Sequence, residues 1–581
     1  MQAQWIRADV APAENEYHEF LAEFTCEKSA ILKISSETDY AAYLNGQLVG
    51  CGQYQDLPTY KVYDEIDLTP FLKAGRNVLA VVGYFCHTET SCYTEKGLGI
   101  LFEVTEGDKV LACSGAHTPS RTSRTWKREG VPLITLQLGY SYSYDFEEED
   151  GWLLGETEGF APSAVIPASP RLWSRPVPRL EWRTLPSRIV RAGSYEPPAD
   201  FASAAEFMQR ASLSEEECDL PLPEGQGISF AGKNVYLLAD LGEENAGVLA
   251  FDIEVPESCK LYVGYGEHIA DGRVRTSIEG RCFQLTFSLK AGRNRFVGPF
   301  RRLGCRYLCA FLSAPSALVR SFGIIATEHS VTERPAPDLP DGLLRQIYSV
   351  CLRTLRLCMH EHYEDTPWRE QALYAMDSRN QMLCGYYVFE DYSFARASLK
   401  LMSENLRPDG FFTLTTPRTT RTDDLTIPGF SLVQVCAMEE YARYSGDMTL
   451  FAEYEETYRT VMENFAARVQ PNGLLKAVKG KYFWNFYEWN EGMDGNFYVE
   501  PEDRYELPLN AFYILALRSY CSLLGRAGKD ASVWKERLAL AQNAAELFYD
   551  VSEGKYADFM ENDGTPVSYT HLRAHETLRH L

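Results

Sequence analysis

The hydrophobic pattern changes period once along the chain. Up to about residue 330 it has the alternation of strands, as in Ile31-Leu32-Lys33-Ile34 and Tyr40-Ala41-Ala42-Tyr43-Leu44. Alternation sends successive side chains to opposite faces, which is the geometry of a strand with one buried side. Asn45-Gly46 separates two such runs and signals a hairpin, because both residues tolerate positive φ. Further runs at 78–82 and 99–104 predict an N-terminal β-sandwich over 1–165. Eight prolines between 162 and 198 then make 166–227 read as a linker or wrapping segment. Strands return at 235–238, 248–253 and 260–263, which predicts a second β-sandwich module over 228–335. The sextet Leu72-Lys73-Ala74-Gly75-Arg76-Asn77 recurs as Leu289-Lys290-Ala291-Gly292-Arg293-Asn294, so both modules are expected to share one turn into a strand.

After Pro340 the period becomes 3.6. Asp341 caps a helix with Leu344, Ile347, Val350, Cys351, Leu355 and Cys358 on one face. Helical stretches follow at about 372–388, 391–406, 430–445, 448–468, 507–524 and 532–549, separated by turns such as Pro408-Asp409-Gly410 and Pro471-Asn472-Gly473. About seven helices joined mostly by short connections predict an all-α domain of helical hairpins over 336–566. The fold class is multidomain β + α, with β-sandwich modules in front of a helical domain.

Composition narrows the function. The 581 residues are 45% hydrophobic and 13% aromatic, enough to build several cores. A net charge of −24 leaves no broad basic surface, so neither nucleic acid nor an anionic membrane is the expected partner. Small, neutral, soluble molecules are. The N-terminal MQAQWIRADV lacks a basic stretch followed by an apolar run, and a cytoplasmic location is expected. The fifteen cysteines show no CxxC pair or zinc-ligand spacing and read as reduced core thiols. With no glycine-rich phosphate loop and no clustered ligands, neither cofactor nor metal is expected.

Candidate chemistry lies between the first two helices, in Glu364-Asp365-Thr366-Pro367-Trp368-Arg369-Glu370-Gln371 and the Asp377 that follows. Proline and the residue before it make this a loop running into a helix. Glycoside hydrolysis needs one protonated carboxyl to donate to the leaving oxygen and one carboxylate to activate water. Asp365, Glu370 and Asp377 around Arg369 and Trp368 supply suitable parts, and the residues alone leave open which carboxyl does what. They fit equally a set of helix-capping acids paired with arginines. A second cluster, Phe483-Trp484-Asn485-Phe486-Tyr487-Glu488-Trp489, combines flat aromatic faces with an acid, as sugar sites do. The loop 421–429 could reach the same place.

The run Asp365-Thr366-Pro367-Trp368-Arg369-Glu370, with Asp377 twelve positions after the first aspartate, resembles the aspartate-cysteine-proline-x-arginine-glutamate signature of bacterial α-L-rhamnosidases. Threonine stands at 366 in place of the cysteine. The resemblance implies an inverting hydrolase of rhamnose-containing glycosides or oligosaccharides whose catalytic domain is an (α/α)6 toroid, the six-hairpin glycosidase fold. It makes Glu370 the counterpart of the general acid, and Asp365 and Asp377 those of acids that hold sugar hydroxyls. Arg369 becomes their charge partner. Glu488 and Trp489, beside Trp484, become counterparts of an acid and a tryptophan in the sugar pocket. In the family the general base is a glutamate much later in the barrel, so this chain is expected to be a fragment with a partial toroid. Residues 567–581 are expected to be a non-native tail. The alternatives are a six-hairpin glycosidase for another sugar and a non-catalytic carbohydrate-binding protein.

Overall fold

Glu16–Thr25 pairs with Arg76–Phe85 along ten antiparallel residue pairs, at the centre of a six-stranded sheet in the computed structural model. A seven-stranded sheet containing Ile31–Ser36, Lys61–Asp67 and Ile100–Glu106 faces it. Between them lie Phe20, Leu32, Ile34, Tyr40, Leu79, Val81 and Phe102. Strand Arg76–Phe85 reads as a nearly unbroken apolar run because both of its faces are buried. Leu79, Val81 and Phe85 enter this first core, whereas Val78, Ala80, Val82 and Tyr84 enter the core of the second module.

The structure describes residues 2–567, apart from 27, 223–225 and 491, so nearly all of the tail expected from 567 onward lies outside the described residues. The chain forms two compact units. The first takes the chain up to Ser330 and again Ser349–Ala372, and the second takes Val331–Tyr348 and what is described from Leu373 onward.

In the first unit, an eleven-stranded sheet is built on Val235–Val255 and Gly292–Leu312, each 21 residues long. Their pairing shifts register between Asp240 and Asn245 and again between Val248 and Ala250. Such bulges let a strand bend without losing its partner.

The module boundaries expected from the sequence need correction. Trp126–Lys127 and Ser143–Asp145 lie before 165 but join the eleven-stranded sheet, and Leu172–Ser174 lies after 165 but joins the first sandwich. The segment 166–227 is not a linker. It holds strands Arg188–Glu196 and Ser212–Pro221, which pair with each other, and the short helix α1 (Ala204–Arg210). Pro186, Pro197 and Pro198 bracket Arg188–Glu196 instead of interrupting it, and brackets of that kind are compatible with a strand.

The repeated sextet gives one turn twice. Asn77 Oδ1 accepts from Lys73 N–H at 2.8 Å while its Nδ2 donates to the Lys73 and Gly75 carbonyls at 2.9 and 3.2 Å. Asn294 makes the same three bonds to residues 290 and 292 at 3.1, 2.9 and 3.0 Å. Gly75 and Gly292 both carry positive φ, 82° and 92°, which requires the missing side chain.

The helical part comprises α2 (Gly342–Leu357), α3 (Ala375–Val388), α4 (Ser393–Ser403), α5 (Pro428–Ser445), α6 (Thr449–Ala466), α7 (Leu507–Arg526) and α8 (Ser532–Ala545). Helix α5 begins with Pro428 and stops at Gly446, φ 75°, the usual asymmetry of proline at the start and glycine past the end. It is buried almost throughout and packs against α3 and α7. Helix α7 is long and apolar enough to cross a membrane, and its apolar residues Leu509, Tyr513, Leu517 and Tyr520 are buried in the protein.

The apolar face of α2 is covered only in part. Leu355 and Cys358 are buried, but Leu344, Ile347 and Val350 are 49%, 49% and 63% exposed. Periodicity shows which face is apolar, and the described residues cover only its C-terminal end.

Connections alternate in length. Short ones follow α3, α5 and α7, and long ones (404–427 and 467–506) follow α4 and α6. The residues leading into α3, α5 and α7 are tied to these long loops: Leu373 bridges to Thr416, Thr426 to Phe483, and Tyr505 to Lys476.

The twin turns make a direct test. Asn77 is fully buried, and Asn77→Ala strands the Lys73 amide and carbonyl, so it is expected to cost roughly 1–3 kcal/mol and to lower the urea midpoint.

Candidate active site

The loop after α2 belongs to the β-rich unit. Asp365 N–H donates to the Ala372 carbonyl at 3.0 Å, and Ala372 N–H donates back to Asp365 Oδ1 at 2.9 Å, closing residues 365–372 into a ring. Trp368 anchors the ring in the core of the second β-module, 4.7 Å from the Phe283 ring. Gly304 lets the backbone come this close, since a Cβ there would stand 2.3 Å from the Pro367 oxygen and 2.7 Å from the Trp368 nitrogen.

Behind the ring the run His360-Glu361-His362-Tyr363-Glu364 is buried and charged. Glu364 pairs with Arg302 and lies 3.2 Å from His360 Nδ1. Burial alone would raise its carboxyl, but Arg302 and His360 together hold it below the ordinary value. Arg175 joins Glu361 to Asp64, with its Nε 2.8 Å from Asp64 Oδ1. Burial pushes His362 down to about 4, so it stays neutral and its Nδ1–H donates to the Tyr363 carbonyl at 2.7 Å.

Of the residues singled out from sequence, Asp365, Arg369 and Glu370 lie in this unit. One oxygen of Asp365 is engaged in closing the ring, so it is a strut as well as an acid. Arg369 is exposed, and Glu370 presents a half-buried carboxyl 3.6 Å from Arg281 Nη2. Arg281 comes from the hairpin of strands Ser277–Ile278 and Arg281–Cys282. Near Arg369 stand Glu267 and, beside that, Glu244. Burial raises Glu267, with Arg369 and His268 opposing it. Burial together with Glu267 pushes Glu244 up to about 8.

Sequence reasoning did not select Arg281, Arg302, Glu244 or Glu267. The run of titratable residues at 360–364 was a readable signal for the buried network. Nothing in the sequence marks the arginines, because they come from strands about 60 to 90 residues upstream.

Asp377, Trp484, Glu488 and Trp489 lie in the helical unit. Asp377 occupies the first turn of α3, where the helix dipole favours a negative charge. Trp484 donates from Nε1 to the Asp494 carbonyl at 2.7 Å, and Gly495 permits that approach because a Cβ there would meet the Asn485 oxygen at 2.5 Å. Phe486 lies 4.9 Å from Trp484 and 4.8 Å from Trp489, whose ring is 74% exposed. Glu488 is exposed and accepts the Trp489 N–H at 2.7 Å. The loop 421–429 does reach this cluster, since Trp484 N–H donates to the Thr426 carbonyl at 2.8 Å. The result is an aromatic platform with an acid at its edge, suited to the apolar face and hydroxyls of a sugar.

β-modules that bear a carboxyl loop thus precede a domain of helical hairpins that carries an aromatic platform. Residues 340–563 match the family model of the bacterial alpha-L-rhamnosidase 6 hairpin glycosidase domain. A search of the curated proteins finds no match. Among solved structures, the chain is similar to the GH78 family rhamnosidase of Bacillus sp. GL1, with a TM-score of 0.83 and 18% identity over 98% of this chain and 79% of that one. The α-L-rhamnosidase from Dictyoglumus thermophilum gives 0.67 and 16% over 96% and 60%. The Streptomyces avermitilis α-L-rhamnosidase complexed with L-rhamnose gives 0.66 and 17% over 94% and 50%. The chain therefore spans between half and about four-fifths of the lengths of these three proteins.

Glu244 provides a test of the site's electrostatics. Its folded value, about 8, lies above the ordinary carboxylate value of about 4.3, so its stabilising effect is complete below that value and is lost as pH rises toward 8. Glu244→Gln does not titrate. Its melting temperature is expected to exceed that of the wild type at pH 8, with the gap closing by pH 5; a constant gap would contradict the buried neutral carboxyl.

Proposed function

We propose that this chain is an α-L-rhamnosidase, a hydrolase that releases terminal α-L-rhamnose from glycosides or oligosaccharides with inversion. The match of residues 340–563, which include Glu370, to the rhamnosidase domain model carries the reading. In it Glu370 is the general acid that protonates the leaving glycosidic oxygen. Its setting supports the role: a half-buried carboxyl on a fixed ring, oriented by a guanidinium 3.6 Å away. Inversion requires a carboxylate on the opposite face of the sugar, far enough from the acid to admit a water.

In this reading Asp365 and Arg369, on the loop of the β-rich unit, have sugar-binding roles, and Asp377, in the helical unit, is assigned a role of the same kind. Trp484 and Trp489 offer apolar surface to the C–H face, and Glu488 accepts from a hydroxyl at its edge. The substrates are rhamnose-containing glycosides. No step calls for a cofactor. The fifteen unbridged cysteines support a reducing, cytoplasmic compartment.

The test is hydrolysis of p-nitrophenyl α-L-rhamnopyranoside, followed by release of rhamnose as the β-anomer in the first minutes by NMR. Glu370→Gln is expected to lower kcat by a factor of about 10²–10⁴. Turnover of other p-nitrophenyl glycosides in preference to the rhamnoside would move the assignment to another sugar. Full activity in Glu370→Gln would remove the acid from its role.

A further inference from the structure

Gln371, the residue after the candidate acid, has φ 53°. For a residue with a long side chain this left-handed conformation is strained, and only glycine, asparagine and aspartate adopt it readily. Something must hold it there.

Its side chain is the tether. Nε2 donates to the Pro367 carbonyl at 2.7 Å and to the Arg302 carbonyl at 3.2 Å, which ties the end of the ring to its start and to strand Gly292–Leu312. The Gln371 carbonyl accepts from Cys92 Sγ at 3.0 Å. The residue also lines a cavity of about 160 Å³ together with Asp39, Tyr54, Phe300, Arg301 and Arg302.

We infer that Gln371 is a positioning residue for the general acid: its left-handed turn, held by the amide tether, sets the direction of the Glu370 side chain. Strain of this kind is retained where the surrounding structure enforces it, often beside reacting groups. The inference rests on the reading of Glu370 as the acid. A proton donor displaced by about an ångström loses much of its effect, on the order of a hundredfold in rate.

The test separates acid placement from folding and from binding. A 2,4-dinitrophenyl rhamnoside has a leaving group that needs little protonation, whereas an alkyl rhamnoside depends on the acid. Gln371→Ala is expected to lower kcat on the alkyl rhamnoside about 10- to 100-fold and on the dinitrophenyl rhamnoside less than threefold, with inhibition by L-rhamnose changed less than threefold. Gln371→Gly relieves the strain but removes both amide bonds, leaving the turn free to depart from its left-handed conformation, so the same selective loss is expected without the strain that alanine would carry.

Equal losses on both substrates in Gln371→Gly, or no loss on either, would overturn the inference while leaving the hydrolase reading intact. An active wild type with a fully active Glu370→Gln would overturn the role of Glu370 and this inference with it. A wild type that hydrolyses no rhamnoside would overturn the functional reading itself, and the inference would fall too.

Discussion

The closeness of residues 367 and 368 to Gly304 is the constraint on which the acid loop depends. No other residue at 304 leaves room for the Pro367 carbonyl, and only with that carbonyl in place can Trp368 enter the β-core and Gln371 reach back across the ring. Gly304 lies in strand Gly292–Leu312 and pairs with Ala246 of Val235–Val255 within the eleven-stranded sheet. A residue held in such a ladder moves little. The position of Glu370 is therefore inherited from the sheet through a few short contacts, the kind of support a proton donor needs.

Charge is distributed to serve the same loop. The chain as a whole is acidic by 24 charges, yet Arg175, Arg281 and Arg302 all meet carboxylates between residues 361 and 370. Burying Glu361, His362 and Glu364 would be costly if any were left unmatched. Each has a partner: Arg175 for Glu361, the Tyr363 carbonyl for His362, and Arg302 with His360 for Glu364. A network satisfied in this way specifies one loop conformation where an apolar filling of the same space would tolerate several.

Much of this was legible because it is local. The change of period at Pro340, proline and glycine at the ends of α5, and the twin sextets all act over a few residues. What was missed depends on distant residues. Residues 166–227 hold strands because Val235–Val255 offers Arg188–Glu196 an edge to pair with, and proline counting cannot show that. The exposed apolar face of α2 shows the converse, a stripe whose neighbours the pattern does not name. In the site, the motif picked out Asp365, Arg369, Glu370 and Asp377 by resemblance. Arg281, Arg302 and Gly304 escaped because sequence spacing carries no trace of a contact made across a sheet.

The helical unit meets the same demand for precision without a sheet. Loop 467–506 runs about forty residues with no helix or strand among its described residues until Tyr505–Glu506, far longer than connections in compact domains usually are. Buried asparagines shape it: Asn485 exchanges two bonds with the Val478 backbone at 2.9 and 3.0 Å, and Asn510, in the first turn of α7, does so with Leu475 at 2.8 and 2.9 Å. Each amide copies the donor and acceptor pair of a neighbouring strand, so the loop gains a ladder's geometry at two points without a ladder's length. The same device closes the twin turns at Asn77 and Asn294. A fold that fixes long loops in this way can present Trp489 to solvent while keeping its base rigid, as an aromatic surface for a sugar face requires.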